Sequence, residues 1–169
     1  NLASINLRKF YEPELSAFNI EAYCHTIRLF TIALEISVLM AQFPSTAIAE
    51  KSYLFRTLGL GYANLGSLLM VMGIPYDSGQ GRAIAGALTA ILTGESYAAS
   101  AEMAKILGPF ERFEKNKSPM LKVIRNHRRA AYGLNDYEDL TVKPQPIDEQ
   151  CCPLELLAAA RNSWDRALE

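Results

Sequence analysis

The sequence shows no excess of either charge, and this balance narrows its functional class. Its 169 residues carry 17 Lys and Arg against 18 Asp and Glu, which gives a net charge of −1. That balance does not favour nucleic-acid binding or a disordered tail. Half of the residues are apolar, so the chain can bury the core of one domain, residues 1–169.

Cysteine is scarce. Cys24, Cys151 and Cys152 are an odd number and form no CxxC pair, so a disulfide framework or a zinc site is poorly supported. A reducing cytoplasm fits this usage best. Cys151 and Cys152 could form a redox pair, but a bridge between adjacent cysteines distorts the peptide between them. We interpret them as buried or incidental thiols and predict no metal site.

Catalytic signatures are missing as well. The chain has no HExxH, no P-loop and no Ser-His-Asp order. Its longest uncharged stretch, 57–75, is interrupted by four glycines, so we predict no membrane span. The chain begins on Asn1 inside a predicted strand and stops at Glu169 inside a helical pattern. We therefore expect a piece of a longer polypeptide.

The stretch Arg56–Gly73, RTLGLGYANLGSLLMVMG, organises the rest of the chain. It predicts a buried strand, a turn made by Gly59 and Gly61, and a buried helix. The two glycines permit a positive φ or a close backbone approach. A dinucleotide-binding turn would need a third glycine where Asn64 stands, so we favour tight packing of a helix on a strand.

Helical periodicity elsewhere predicts a mostly α fold with two short strands. Asn19 and Ser78 are placed as helix N-caps, and Gly73 and Gly133 as helix ends. The predicted elements are strands at 1–7 and 55–60, helices at 19–43, 46–53, 62–72, 78–107, 118–132 and 153–169, and an irregular connection at 135–152.

Three helices have distinctive surfaces. The helix at 19–43 is apolar outside one narrow polar stripe, so other structure must cover it. On it, we favour an ordinary surface role for His25 over metal ligation with Cys24. The helix at 78–107 is rich in Ala and Gly, which indicates close packing between neighbours and a packing reason for Gly86 and Gly94. The basic residues of 112–129 could bind phosphate, but we favour ion pairs with the acidic residues that follow.

Several motifs together resemble one enzyme family. NLASINL, LEISVLMAQFPS, FRTLGLGYANLGSLLMVMGIPYDS, LTGESY, LGPF and NHRRAAYG are similar to a stretch of the catalytic subunit of adenosylcobalamin-dependent (class II) ribonucleotide reductase. The resemblance extends from Asn1 to the WDRAL at Trp164–Leu168, and RTLGLGYANLG with IPYDS is its most specific part.

The resemblance implies a ten-stranded α/β barrel, of which this chain supplies two strands and their covering helices. It implies a ribonucleoside-diphosphate reductase that uses adenosylcobalamin to form a thiyl radical on a cysteine. That radical abstracts the ribose 3′ hydrogen, and two further cysteines reduce the 2′ carbon. The implied partners are a ribonucleotide substrate and the remainder of the barrel, with no nucleic acid and no membrane. A homodimer is compatible with it.

The family's catalytic cysteines match none of Cys24, Cys151 and Cys152, so the resemblance implies no catalytic residue in this chain. One reducing cysteine of the family directly precedes NLASINL. Asn1 and Leu2 would therefore lie along the substrate cavity, and we predict them as substrate-binding residues. The leading hypothesis is a reductase segment that is inactive alone. The alternative is a non-enzymatic helical structural or interaction module derived from the same barrel.

Overall fold

The computed structural model describes all 169 residues and is mostly helical with few short strands, which confirms the predicted helical class. The elements in chain order are β1 (Leu2–Asn6), a 3-10 helix (Leu7–Phe10), β2 (Tyr11–Glu12), β3 (Ala17–Phe18), α1 (Ile20–Met40), α2 (Thr46–Phe55), β4 (Gly59–Ala63), α3 (Leu65–Val71), α4 (Gly79–Leu107), α5 (Phe113–Ala131) and α6 (Leu154–Leu168).

β1 and β4 form a parallel two-stranded sheet, with Leu2 opposite Gly59 and Asn6 opposite Ala63. The chain between them crosses over through α1 and α2, as a parallel pair requires. Neither strand pairs with a third strand on its other edge. β2 and β3 form a separate antiparallel hairpin, inside a segment for which no strand was predicted.

α4 lies at the centre of the helical layer and packs against both α1 and α6. This confirms that the Ala- and Gly-rich helix is sandwiched. Gly94 marks the tightest point, because a Cβ there would lie 2.8 Å from Ser163 Cβ and 3.0 Å from the Ser163 carbonyl carbon. Gly86 is less constrained, since its Cβ would meet only Ile147 Cγ1 at 3.4 Å.

Local capping explains where several helices begin and end. The Asn19 side chain accepts a hydrogen bond from Ala22 N at 3.0 Å, and the Ser78 hydroxyl accepts one from Gly81 N at 2.9 Å. Gly73 and Gly133 both have a φ of +70°, which an L side chain rarely adopts. The predicted N-caps and glycine ends are thus confirmed.

The predicted strand at 55–60 is displaced towards the C-terminus, and its predicted glycine turn is wrong. Phe55 is the last residue of α2, which was predicted to end at 53, and Arg56 closes it in the left-handed region with a φ of 49°. The strand follows at Gly59–Ala63. Neither Gly59 nor Gly61 has a positive φ. Asn64 instead makes the turn with a φ of 66°, because Asn tolerates that region better than most side chains.

α3 and α5 also begin elsewhere than predicted. α3 runs over Leu65–Val71 rather than 62–72, since Tyr62 and Ala63 belong to β4. α5 begins at Phe113 rather than 118 and carries Pro119 inside it. Its start is tied to α2, because Arg112 N donates to Leu54 O at 3.2 Å.

Four other elements differ from the prediction by a few residues at their ends. β1 stops at Asn6, whose side chain accepts from Arg8 N and caps the 3-10 helix at Leu7. α1 ends at Met40 rather than 43, where the chain turns so that the ring of Phe43 packs edge-on against Tyr53. α4 begins at Gly79, one residue later than the predicted 78. α6 runs from Leu154 to Leu168, one residue shorter at each end than the predicted 153–169.

Gly61 was predicted to need a positive φ or a close backbone approach, and the structure shows neither. A Cβ on Gly61 meets no atom within 4 Å, whereas one on Gly59 overlaps Leu2 Cδ2 and lies 3.3 Å from Asn1 O. We expect Gly61→Val to change the free energy of unfolding by less than about 0.5 kcal/mol, because it is a β-branched residue in a strand with free space. Urea denaturation with Gly59→Val as the matched variant checks this, and an equal loss in both variants would contradict it.

Candidate functional site

The start of β1 is held against α1 by the side chain of Asn1. Its amide nitrogen donates to Leu34 O at 2.8 Å, and its amide oxygen accepts from Ser37 Oγ at 2.8 Å. Its main-chain oxygen accepts from Gly59 N at 3.2 Å. The side chain of Asn1 therefore has both polar ends engaged within the chain. This arrangement fixes where β1 begins.

Leu2 is the exposed member of the predicted pair. Leu2 is 87% exposed, and its side chain lies over the backbone of Gly59, its partner across the sheet. A Cβ on Gly59 would overlap Leu2 Cδ2, so the missing side chain is what leaves room for Leu2 there. The structure thus brings together Leu2 and Gly59, which sequence reasoning had considered separately.

None of the three thiols lies on β1. Cys24 is on α1, while Cys151 and Cys152 precede α6. Burial raises the pKa of Cys24 and that of Cys152 to about 11. A hydrogen bond with Asp148 raises the pKa of Cys151. All three side chains are therefore protonated at neutral pH, and a protonated thiol is a poor nucleophile.

Neither histidine forms part of a ligand cluster. His25 is exposed on α1. The His127 ring stacks on Trp164 with centroids 4.9 Å apart, and burial lowers the pKa of its imidazole. No group of three or more His, Cys, Asp or Glu side chains is arranged to hold a metal ion.

The basic face of α5 is neutralised by the segment that follows it. Arg125 donates two hydrogen bonds of 2.7 Å to Glu138, and Arg129 also pairs with Glu138. The hydrogen bonds from Arg125 and Arg129 lower the pKa of Glu138 to about 2. Lys122 pairs with Asp139 at 3.0 Å. The predicted ion-paired surface is confirmed on this face.

A charge network that sequence reasoning missed joins α4, α6 and α1, and its Glu95 is buried. Glu95 is only 2% exposed and accepts hydrogen bonds from Ser163 Oγ and Arg166 Nη1, both at 2.9 Å. Arg166 Nη2 donates to Glu102 at 3.0 Å, and Glu102 also pairs with Arg28. The hydrogen bond from Arg28 is the main reason why the pKa of Glu102 falls to about 2.

One sequence signal could have revealed this network. Glu95 is the sole charged residue of α4 between Arg82 and Glu102, in a stretch otherwise made of apolar, small and hydroxyl residues. An isolated charge on a buried helix needs a partner. Every charge of the network is paired, and the pairs link α4 to both α6 and α1.

A wide surface cleft of about 610 Å³ lies between α2 and the start of α5. Its lining includes Glu50, Lys51, Arg112 and Lys115, and it includes neither Asn1 nor Leu2. The cleft is thus separate from the predicted substrate-binding residues. Its charged lining differs from the mostly apolar lining of typical organic cofactor sites.

Comparison with known proteins matches the entire chain to one protein family. The family model for the ribonucleotide reductase barrel domain matches residues 1–169. Two proteins named vitamin B12-dependent ribonucleotide reductase, from Bradyrhizobium diazoefficiens and Agrobacterium fabrum, are each 59% identical over 171 residues. A third with that name, from Rhodopirellula baltica, is 44% identical over 169 residues. All three alignments cover 100% of this chain, which spans 14%, 13% and 15% of the respective relatives.

Proposed function

The chain belongs to the ribonucleotide reductase barrel-domain family, and we propose that it is part of the catalytic subunit of an adenosylcobalamin-dependent reductase. That enzyme converts ribonucleotides to 2′-deoxyribonucleotides by thiyl-radical chemistry, and these 169 residues alone are inactive. The observation that carries the proposal is the family match along the whole chain, together with 59% identity to relatives named as vitamin B12-dependent reductases.

The sheet supports a place in an α/β barrel. β1 and β4 are parallel and adjacent, and α1 lies on them, as in one repeat of a barrel wall. Each strand has one edge that no strand of this chain pairs. In the proposed ten-stranded barrel, strands from the remainder of the subunit pair with those edges and remove them.

At the proposed substrate cavity, Leu2 and Asn1 have different tasks. The exposed side chain of Leu2 lines the cavity beside the ribonucleotide. The hydrogen bonds of Asn1 to Leu34 O and Ser37 fix the position of the strand start. Under this proposal Asn1 acts as a positioning residue, because its side-chain polar atoms are already engaged on α1.

Adenosylcobalamin belongs to the proposed complete enzyme, where it supplies the radical. The α2–α5 cleft is open and lined largely by charged groups, which does not suit an organic cofactor. We assign no residue here to the cofactor. The complete enzyme is proposed to be cytoplasmic, with no membrane or nucleic-acid partner, and a homodimer remains a prediction.

Replacement of all three cysteines tests the absence of catalytic residues. In a complete reductase that carries this segment, we expect Cys24→Ser, Cys151→Ser and Cys152→Ser together to leave adenosylcobalamin-dependent turnover per folded enzyme unchanged. The reason is that these thiols are protonated and that none of them lies on β1, which carries Leu2. Turnover is measured as deoxynucleotide formed with a dithiol reductant. A triple variant that folds normally but loses turnover would show that one of these thiols carries electrons.

A further inference from the structure

α1 has two apolar stripes on opposite sides, and the chain covers only one of them. The inner stripe, which includes Ile27, Leu34 and Val38, is buried. The outer stripe consists of Leu29, Ile32, Ile36, Leu39 and Met40, whose exposed fractions range from 38% to 77%. Successive helical residues turn by about 100°, which places Ile36 on the far side of the helix from Leu34.

Charges do not interrupt the outer stripe. From Leu29 to Met40 the one charged residue is Glu35, and its carboxylate pairs with Arg56 next to β4. Arg28, just before the stripe, pairs with Glu102 on α4. Arg28 and Glu35 are thus paired within the chain, and the outer surface of α1 from Leu29 to Met40 is left apolar. A helix that is apolar on both sides is typical of a buried position between two layers.

The inner side of α1 already faces the sheet and α4, because α1 packs against β1, β4 and α4. The layer that covers the outer stripe therefore lies on the side away from the sheet. The stripe residues are spaced by three and four positions and extend over about 17 Å, the length of three helical turns. A second helix with matching apolar spacing fits such a surface.

We propose that the outer stripe of α1 is the docking surface for an amphipathic helix from the same polypeptide, outside residues 1–169. This inference rests on the proposed function and names one surface through which the segment joins the remainder of the subunit. The remainder of the polypeptide is long enough to supply such a helix, since this chain spans about one seventh of the length of the relatives it matches.

A second copy of the chain fits this surface less well. A stable interface between two proteins takes about 20–30 residues from each partner, and the outer stripe offers five. A membrane also fits less well. α1 is long and apolar enough to span one, but core helices of soluble proteins pass the same test. Its inner stripe and its ion pairs hold it against α4 and β4, so lipid could not surround it.

A photo-crosslinker at the outer stripe tests the proposal. Residues 1–169 replace the matching segment in the complete reductase of Bradyrhizobium diazoefficiens, with benzoylphenylalanine in place of Ile36. The same group in place of Lys117, an exposed residue of α5, is the matched control. After irradiation, the crosslinked peptides are identified by mass spectrometry. We expect an intrachain crosslink from position 36 to a peptide outside the segment that carries apolar residues three and four apart.

The outcomes separate this inference from the proposed function. An active enzyme that gives the intrachain crosslink supports both. Three results with an active enzyme would overturn the docking proposal and leave the proposed function standing. Position 36 could crosslink to a second copy, it could crosslink to lipid, or its crosslinking yield could be no higher than that of position 117. The chimera without benzoylphenylalanine is assayed as well. If it folds but makes no deoxynucleotide, both the proposed function and the docking proposal are overturned.

Discussion

Replacing Arg166 by Met should lower the free energy of unfolding by about 3–5 kcal/mol, because it leaves the buried carboxylate of Glu95 without its charged partner. Glu95 is 2% exposed, and after the change the Ser163 hydroxyl is its one remaining side-chain hydrogen-bond partner. The loss should appear as a lower urea midpoint, followed by the fluorescence of Trp164, the one tryptophan of the chain. Met keeps most of the apolar stem of Arg166, so packing changes little.

Arg28→Met is the matched control at the other end of the same network. It removes the same charge, but the side chains of Arg28 and Glu102 are 31% and 45% exposed, and Glu102 keeps its hydrogen bond from Arg166. We expect a loss of about 0–1 kcal/mol there. Adding Glu95→Met to Arg166→Met should recover part of the lost stability, because no unpaired buried charge remains. Equal losses in the two single variants would show that burial of Glu95 is not the cause.

Gly94→Ala should lower the free energy of unfolding by about 1–3 kcal/mol, although alanine favours helix. The added Cβ would lie 2.8 Å from Ser163 Cβ and 3.0 Å from the Ser163 carbonyl carbon, and backbone atoms of α6 cannot move aside as a flexible side chain can. α4 and α6 would have to separate. Because Ser163 and Arg166 both contact Glu95, the network between these helices should loosen as well.

Gly86→Ala provides the comparison within the same helix. Its Cβ would touch Ile147 Cγ1 at 3.4 Å, an ordinary contact. The propensity gain of up to about 1 kcal/mol should then be visible as increased stability. Chemical denaturation of the two variants in parallel should show a lower free energy of unfolding for Gly94→Ala and a higher one for Gly86→Ala. A gain in both variants would contradict the packing described for α4 and α6.

The helical part of the fold could be predicted from sequence because its signals are local. Asn19 and Ser78 cap helices through contacts three residues away, and Gly73 and Gly133 end them through their own backbone conformation. The errors arose where distant contacts override local signals. The start of α5 was predicted at 118, next to Pro119, but the helix begins at Phe113, beside the hydrogen bond from Arg112 N to Leu54 O.

The sheet and the site were harder to predict for the same reason. The position of β4 depends on its pairing with β1, and no local pattern showed that Asn64 rather than a glycine would make the turn. Asn1 and Leu2 were chosen through the family resemblance. Their different surroundings, with Asn1 bonded to α1 and Leu2 exposed over Gly59, depend on contacts 33 to 57 positions away in sequence and could not be read from the sequence around them.

The central claim is that these 169 residues are a working part of an adenosylcobalamin-dependent reductase, and segment replacement tests it most directly. Residues 1–169 replace the matching segment in the complete Bradyrhizobium diazoefficiens reductase, whose segment is 59% identical. Purified chimera and parent are assayed side by side for deoxynucleotide formed from ribonucleotide with adenosylcobalamin and a dithiol. We predict turnover comparable with that of the parent enzyme. A chimera that folds and melts like the parent but forms no deoxynucleotide above the blank would contradict the claim.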